Sequence, residues 1–310
     1  MDLLESLTNI YRFSKIFGIA PYVIKKVENK NALFESNSHV MYSIILSFYY
    51  LLLQYFSIRS VLQQSFDMKA PTSQIACLLD GFSYSVHFCG TPFIYLKFRK
   101  IIVKNLNQLN NVKIYTENKY LVKEMEKFNN LLLIYFGLLT LVVQMGIPVE
   151  GTIDTGVVVL DYIMYFVGCV PLMLIIAFSY VQFCAYVNIV RLIYKKTNEF
   201  LILHRLKVEV SVLKDLKVCD NILKDFLQDM NQVFSFNITF LVIISFTTVV
   251  DGMHLLVSNE WYSVPWRFVL WLIYLGSFLM TCVVLCTSTT EEVINFVILS
   301  LPNHNVLEMV

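Results

Sequence analysis

The sequence predicts an all-α protein, a polytopic transmembrane helical bundle with its N-terminus in the cytoplasm. Three observations lead to this fold class. Hydrophobic residues make up 57% of the 310 positions and charged residues 15%, and the mean hydropathy of +0.62 lies outside ordinary soluble usage. Apolar windows of about 20 residues, the length that crosses ~30 Å of hydrocarbon, occur six times. The basic residues are concentrated between alternate windows.

The six windows are the predicted membrane spans in chain order. They lie near residues 39–58, 74–96, 129–149, 156–190, 232–257 and 264–288. The fourth window is longer than a span requires, so part of that helix is expected to protrude from the membrane. Because the first 38 residues lack the apolar core and small-residue cleavage site of a signal peptide, we expect the first span to start insertion.

We expect residues 1–310 to form one multi-pass membrane domain, because no internal repeat or low-complexity tract divides the chain. Its predicted parts are a cytoplasmic N-terminal segment at 1–38, spans 1 to 4 at 39–190, a cytoplasmic helical extension at 191–231, spans 5 and 6 at 232–288, and a cytoplasmic tail at 289–310.

The orientation follows from the positions of Lys and Arg. The N-terminal segment and the second and fourth connections together carry 21 of the 24 basic residues. Basic residues are retained on the cytoplasmic side, so the N-terminus is predicted inside, in a plasma-membrane protein. A G-protein-coupled receptor has its N-terminus outside. That orientation and the missing Asp-Arg-Tyr and Asn-Pro-x-x-Tyr motifs argue against that class.

The fourth helix is predicted to leave the membrane without ending, since no Gly or Pro interrupts the stretch from Gln182 to Leu201. On the return leg, apolar residues recur at alternating spacings of four and three, which is a heptad seam: Val212, Leu216, Cys219, Leu223, Phe226 and Met230. Residues 101–128 offer a partner stripe. We favour a cytoplasmic helical bundle that packs against itself or other subunits, and the alternative is that these connections rest on the membrane surface.

Four segments, in this order, resemble the insect gustatory receptors of the insect chemoreceptor superfamily. Ile10 to Ile24 is similar to the family's short lead-in to the first span, and Val170 to Leu201 looks like its fourth helix running into the cytoplasm. Leu216 to Val257 resembles its short heptad helix, turn and fifth span. Cys286 with the following glutamates resembles the end of its sixth helix.

The resemblance implies a ligand-gated cation channel of four subunits, as a homo- or hetero-tetramer with related receptor subunits. It further implies a tastant pocket in the outer half of the membrane and a pore lined by a seventh helix. The family's Thr-Tyr and Gln-Phe hallmark belongs to that helix and does not occur before Val310. We therefore expect a chain that is truncated before span 7 and gives no current when expressed alone.

Polar and aromatic residues at membrane depth are the candidates for binding a small tastant, because such pockets are mostly apolar with a few polar groups. The candidate ligand-binding residues are Asp80, Asp161, Tyr165, Trp271 and Tyr274. The candidate interface for oligomer or anchor contacts consists of Leu216, Cys219, Leu223, Phe226 and Met230. His87 is expected to be hydrogen-bonded between helices. The acceptor motif at Asn237 should be unmodified near the inner end of a span.

The sequence shows no catalytic set, no metal spacing and no cofactor motif, so we expect neither an enzyme nor a cofactor. The predicted partners are a small-molecule tastant, the lipid bilayer and related receptor subunits, and no nucleic acid. A regulatory or scaffold membrane subunit that lacks a pore is the main alternative function. A secondary transporter is a further one, but the four prolines at membrane depth show no repeated halves.

Overall fold

The structure is a computed structural model that describes residues 3–27, 30–67, 71–112, 119–145, 158–203, 210–257 and 265–300. Eight helices and two strands follow one another in this part of the chain. Their bounds are α1 Leu3–Ser6, α2 Thr8–Ile16, β1 Tyr22–Val27, β2 Lys30–Glu35, α3 Asn37–Asp67, α4 Pro71–Asn110, α5 Lys119–Met145, α6 Val158–Leu203, α7 Val210–Val257 and α8 Pro265–Ser300.

Six long helices, α3 to α8, match the six predicted windows in order. Within the described residues, four of them hold a stretch long and apolar enough to cross a membrane: Tyr120–Gln144, Val170–Leu203, Lys214–Val250 and Val269–Ser300. The parts of α3 and α4 whose side chains the structure describes hold no such stretch. The chain is thus a multi-pass membrane protein, and the spans at 39–58 and 74–96 stay predictions.

Helix α6 occupies the centre of the bundle. It packs against α2, α4, α5, α7 and α8. In its most apolar stretch 78% of the residues are buried, against 28% in each of the corresponding stretches of α5, α7 and α8. Its many large apolar side chains are therefore enclosed by protein, while the other three helices keep apolar faces toward the surroundings.

The N-terminal segment folds against the bundle. α2 ends at Ile16 and is followed by Gly18, whose φ of 74° is left-handed. The N–H groups of Gly18 and Ile19 bond back to the carbonyls of Lys15 and Ser14. The Tyr11 and Tyr186 hydroxyls lie 3.0 Å apart, which ties α2 to α6. Burial raises the pKa of Tyr11 well above its usual value, so this contact stays neutral.

A two-stranded antiparallel hairpin, β1 with β2, adds to the predicted helices an element that was not predicted from the sequence. Its register runs from the pair Tyr22 and Glu35 to the pair Val27 and Lys30. Pro21 cannot continue a helix, and the β-branched residues that follow favour a strand. The Asn107 side chain on α4 accepts from the Leu33 N–H and donates to the Leu33 carbonyl, each at 2.8 Å. The hairpin is thereby fixed to the C-terminal half of α4.

The described parts of residues 191–231, the predicted helical extension, lie in α6 and α7. α6 continues unbroken to Leu203, and α7 joins the heptad seam and the fifth span in one helix. The seam residues are at most 4% exposed within this single chain: Leu216, Cys219, Leu223, Phe226 and Met230. The Phe226 ring lies 6.1 Å from that of Tyr186 on α6, and the Tyr194 hydroxyl donates to Asp220 Oδ1 at 2.8 Å.

The predicted partner stripe on residues 101–128 is also buried in the same chain. Ile102, Leu106 and Leu109 on α4 and Leu121 and Met125 on α5 are at most 2% exposed. The seam therefore packs inside the subunit. Any contact that α7 makes with another subunit must use its opposite, exposed face, which carries Lys214, Asp215, Lys217, Val218, Asn221, Lys224 and Asp225.

Candidate functional site

Seven aromatic rings from four helices form a continuous cluster in the membrane bundle, here called the aromatic cluster. Its members are Tyr84 and Phe88 on α4, Phe136 on α5, Tyr180 on α6, and Trp271, Tyr274 and Phe278 on α8. The rings come from helices distant in sequence, because α6 brings α4, α5 and α8 around itself. Such rings supply large apolar area with defined geometry.

One end of the aromatic cluster is formed by Tyr84 and Trp271, whose centroids are 6.0 Å apart in an edge-to-face arrangement. Both residues are half-buried. The next ring inward is Tyr274, 5.4 Å from Trp271 and 1% exposed. This end of the cluster combines partial exposure with flat apolar faces, which is what a small apolar or aromatic ligand needs for stacking.

The inner end of the aromatic cluster is tightly packed. The Phe278 ring stacks on Phe136 at 4.2 Å and lies 5.0 Å from Tyr180. The Tyr274 hydroxyl accepts a hydrogen bond from Thr140 Oγ1 at 3.2 Å. That bond gives the cluster a polar link between α5 and α8 at a position from which water is excluded.

A buried polar cluster joins α4, α6 and α7 just below the rings, and Asn237 is its centre. The Asn237 amide donates to Ser179 Oγ at 2.6 Å and accepts from Thr91 Oγ1 at 2.9 Å. The Tyr180 hydroxyl donates to the Asn237 carbonyl at 2.5 Å. Asn237 is fully buried, which agrees with the expectation that its acceptor motif stays unmodified. Tyr180 belongs to both clusters and so connects them.

His87 departs from the expected interhelical hydrogen bond. Its ring is fully buried and lies 6.0 to 6.3 Å from the rings of Tyr180, Phe236 and Phe240. The Asn237 side chain lies close to this ring, but it is hydrogen-bonded to Ser179 and Thr91. Neither ring nitrogen of His87 meets hydrogen-bond geometry with a described residue. Gly90, one turn away, allows this close packing, because a Cβ there would collide with the Phe236 ring.

The structure brings together two of the five predicted ligand-binding residues, Trp271 and Tyr274. The side chains of Asp80, Asp161 and Tyr165 lie outside the described residues. Tyr84, Phe136 and Phe278 were missed, because an aromatic residue in an apolar span looks the same in sequence whether it faces lipid or a neighbouring helix. Helical spacing placed Trp271 and Tyr274 on one helix face, but no local pattern indicates which helix packs there.

Other features of the described residues do not form a competing site. No three His, Cys, Asp or Glu side chains in this part of the chain lie close enough to hold a metal ion. Cys184 on α6 and Cys282 on α8 are free thiols whose sulfur atoms are 3.9 Å apart. A groove of about 410 Å³ lies between the C-terminal parts of α6 and α8, far along both helices from the aromatic cluster, and Asn198 and Glu292 are among its lining residues.

The fold has a counterpart among solved structures. No protein-family model matches the sequence, and no curated protein sequence matches it. The chain is similar in structure to the insect olfactory receptor OR5 from Machilis hrabei, with a TM-score of 0.72 and 15% sequence identity over 98% of this chain and 85% of that one. At this identity the likeness concerns the fold, so the chain has the fold of an insect olfactory receptor over nearly its whole length.

Proposed function

We propose that the chain is a chemosensory receptor subunit of the insect chemoreceptor superfamily, of the gustatory type, and that it responds to small tastants as part of a ligand-gated cation channel. The observation that carries this proposal is the shared fold with an insect olfactory receptor over 98% of the chain. The four segments that resemble gustatory receptors support the gustatory type. The enclosed aromatic cluster supports a small-molecule ligand rather than a protein one.

The proposed binding site is the half-buried end of the aromatic cluster, at Tyr84 and Trp271. With the N-terminus in the cytoplasm, α4 and α8 both run from the outer face inward, which places these two rings in the outer half of the membrane. Asp80, Asp161 and Tyr165 are proposed to contribute from the segments that lead toward the outer surface. Tyr274 forms the floor, since its ring is enclosed and its hydroxyl is bonded to Thr140.

The proposed signal runs along α6. A ligand that separates Tyr84 from Trp271 also displaces Tyr274 and Phe278, which contact Tyr180 on α6. α6 extends without a break into the cytoplasmic bundle. Packed protein interiors switch between discrete arrangements. A shift of α6 near Tyr180 can therefore be transmitted along this helix to the cytoplasmic contacts of the subunit. We propose that the subunits assemble as a tetramer through surfaces outside the buried seam.

The function is tested by recording cation currents from cells that express the chain with a related receptor subunit, under sucrose, fructose, caffeine and quinine. We expect at least one compound to evoke a current. Replacing Tyr84 or Trp271 with alanine should raise the half-maximal concentration about tenfold, which corresponds to about 1.4 kcal/mol of lost contact. The control is Phe82→Ala on the same helix, because Phe82 is 64% exposed and faces away from the cluster.

Equal effects of Tyr84→Ala and Phe82→Ala would contradict the proposed site. A chain that reaches the surface, assembles with its partner and alters that partner's current without any compound of its own would favour the regulatory subunit instead. Surface biotinylation of each variant separates loss of response from loss of expression.

The proposed topology has its own test. Epitope tags at residue 2 and within 205–210 should bind antibody only in permeabilised cells, and a tag within 150–155 should bind it on intact cells. Labelling of the N-terminal tag on intact cells would overturn the cytoplasmic N-terminus.

A further inference from the structure

Helix α2 lies where the N-terminal segment meets the membrane bundle. The Phe13 and Phe17 rings stack on Phe178 of α6 at 5.9 and 5.2 Å. The Tyr42 hydroxyl near the start of α3 donates to the Ile16 carbonyl at 2.8 Å. α2 is therefore held beside the first turns of α3 and against a part of α6 apolar enough to lie in the membrane.

The outward face of α2 is divided lengthwise into a basic edge and an apolar edge. At 100° per residue, the basic and apolar side chains of this face follow the order Lys15, Arg12, Ile16 and Phe13 around the helix, and the half-exposed Thr8 and Asn9 lie within the same arc. Ile16 is 54% exposed and Phe13 is 42% exposed. The opposite face is buried against the bundle, as Tyr11 is 2% exposed. A helix with this division lies in an interface, with one edge in apolar surroundings and the other among charges.

The two basic side chains have no ionic partner among the described residues. Neither Arg12 nor Lys15 forms an ion pair with any described residue, and the Glu35 carboxylate is engaged by Arg99 at 2.8 Å. Burial lowers the pKa of Lys15, and no neighbouring carboxylate offsets this. A cation in partly buried surroundings without an anion is a site that an external anion would stabilise.

Apolar surface on α3 continues the apolar edge of α2. Met41 is 57% exposed and Ile45 is 62% exposed, on either side of the Tyr42 that contacts Ile16. A folded protein partner would need a much larger matching surface than a nine-residue helix offers, whereas a lipid presents a charged headgroup and an apolar chain together.

We propose that α2 binds an anionic phospholipid, with Arg12 and Lys15 on the headgroup phosphate and Phe13 and Ile16 against the acyl chains. This site shares no residue with the proposed tastant site at Tyr84 and Trp271. The lipid proposal requires only that α2 lies at a membrane boundary, so its test is independent of the proposed receptor function.

The test is binding of phosphatidylglycerol, with phosphatidylcholine as reference, to the purified full chain in detergent, measured by native mass spectrometry. Arg12→Gln with Lys15→Gln should weaken phosphatidylglycerol binding about 25-fold, since each of the two basic residues near an anionic surface contributes on the order of a fivefold change in affinity. The matched control is Lys214→Gln with Lys217→Gln, two exposed lysines with the same spacing and charge, which should leave binding unchanged.

Two further variants make the outcome decisive. The charge-conserving exchange Arg12→Lys with Lys15→Arg should keep the preference for phosphatidylglycerol. If these side chains had a purely structural role, the exchange would not keep that preference. Phe13→Ser with Ile16→Ser should weaken both lipids alike. If the wild type and the variant with Arg12→Gln and Lys15→Gln bound phosphatidylglycerol equally well, the proposal would be overturned. An equal loss in the Lys214 and Lys217 control, or displacement of the lipid by inorganic phosphate at millimolar concentration, would also overturn it.

Discussion

Helices α6 and α8 are both strongly apolar, yet one is enclosed by protein and the other is not. In α6, 78% of the most apolar stretch is buried, against 28% in α8. Exposed side chains on α8 include Met280, Val283 and Val284, each more than half exposed. α6 instead buries polar groups along its length, among them Ser179, Gln182, Asn188 and Asn198.

The difference teaches what marks the centre of a membrane bundle. Lipid solvates an apolar surface as well as protein does, so apolarity alone does not decide which helix is enclosed. A polar side chain needs a partner, and only other helices supply one at membrane depth. Gln182 donates to Ser14 at 2.6 Å. Buried polar residues therefore distinguish α6 from α8.

The largest effect is expected from a charge placed against the enclosed helix. Phe226→Asp buries an unpaired carboxylate beside Tyr186 of α6, which should cost several kcal/mol of the free energy of unfolding. Lys217→Asp on the exposed side of α7 should change it by about 0.5 kcal/mol or less. Equilibrium unfolding in mixed micelles measures both, and equal losses would mean that α7 does not pack on α6 as described.

A core truncation on α8 separates its inner face from its outer face. Phe278→Ala removes a fully buried ring that contacts Phe136, Tyr180 and Tyr274, and should cost about 3 kcal/mol. Met280→Ala, two residues on, should be close to neutral because Met280 is 64% exposed and lipid can fill the space. The same unfolding measurement applies. A larger loss at Met280 than at Phe278 would reverse the assignment of the two faces.

Removing the centre of the buried polar cluster is expected to have an intermediate effect. Asn237→Leu leaves Ser179 and Thr91 without their shared partner and should cost about 1–2 kcal/mol. Asn231→Leu, on the exposed surface of the same helix, is the control and should be near neutral. A stabilised Asn237→Leu protein would show that the polar cluster does not hold α6 in place.

The smallest effect is expected at a single interhelical hydrogen bond. Tyr274→Phe removes the bond from Thr140 and keeps the ring, so it should cost about 0.6 kcal/mol. Thr140→Val should cost a similar amount, and the double variant should cost no more than either single one. Additive losses in this double-mutant cycle would show that the two groups act independently.

The sequence predicted the long helices and the heptad seam well. Six apolar windows fall in six helices, and the spacing of Leu216, Leu223 and Phe226 identified a face that is buried. These features depend on local periodicity, which one sequence contains. The hairpin at β1 and β2 was missed, because its strands are short and are stabilised by Asn107 and Asn110, about 75 residues further along the chain.

The candidate site was predictable only along one helix. The spacing of Trp271 and Tyr274 placed them on a common face of α8, but their contacts with Tyr84 and Thr140 depend on how α4, α5 and α8 are arranged around α6. The seam illustrates the same limit. The heptad spacing predicted that the seam is buried. The sequence did not decide whether the seam packs within the chain or against another subunit, and the structure shows that it packs against this chain's own core.

The central claim, that α6 is enclosed while α8 faces lipid, is tested most directly by quenching of tryptophan fluorescence with brominated phosphatidylcholine in nanodiscs. Trp261, Trp266 and Trp271 are first replaced with phenylalanine. Met280→Trp and Tyr180→Trp then report from α8 and α6 at similar depth, as the contact between Cys184 and Cys282 sets the two helices level. We expect strong quenching at position 280 and little at position 180, where the side chain is fully buried. Equal quenching at both positions would contradict the account.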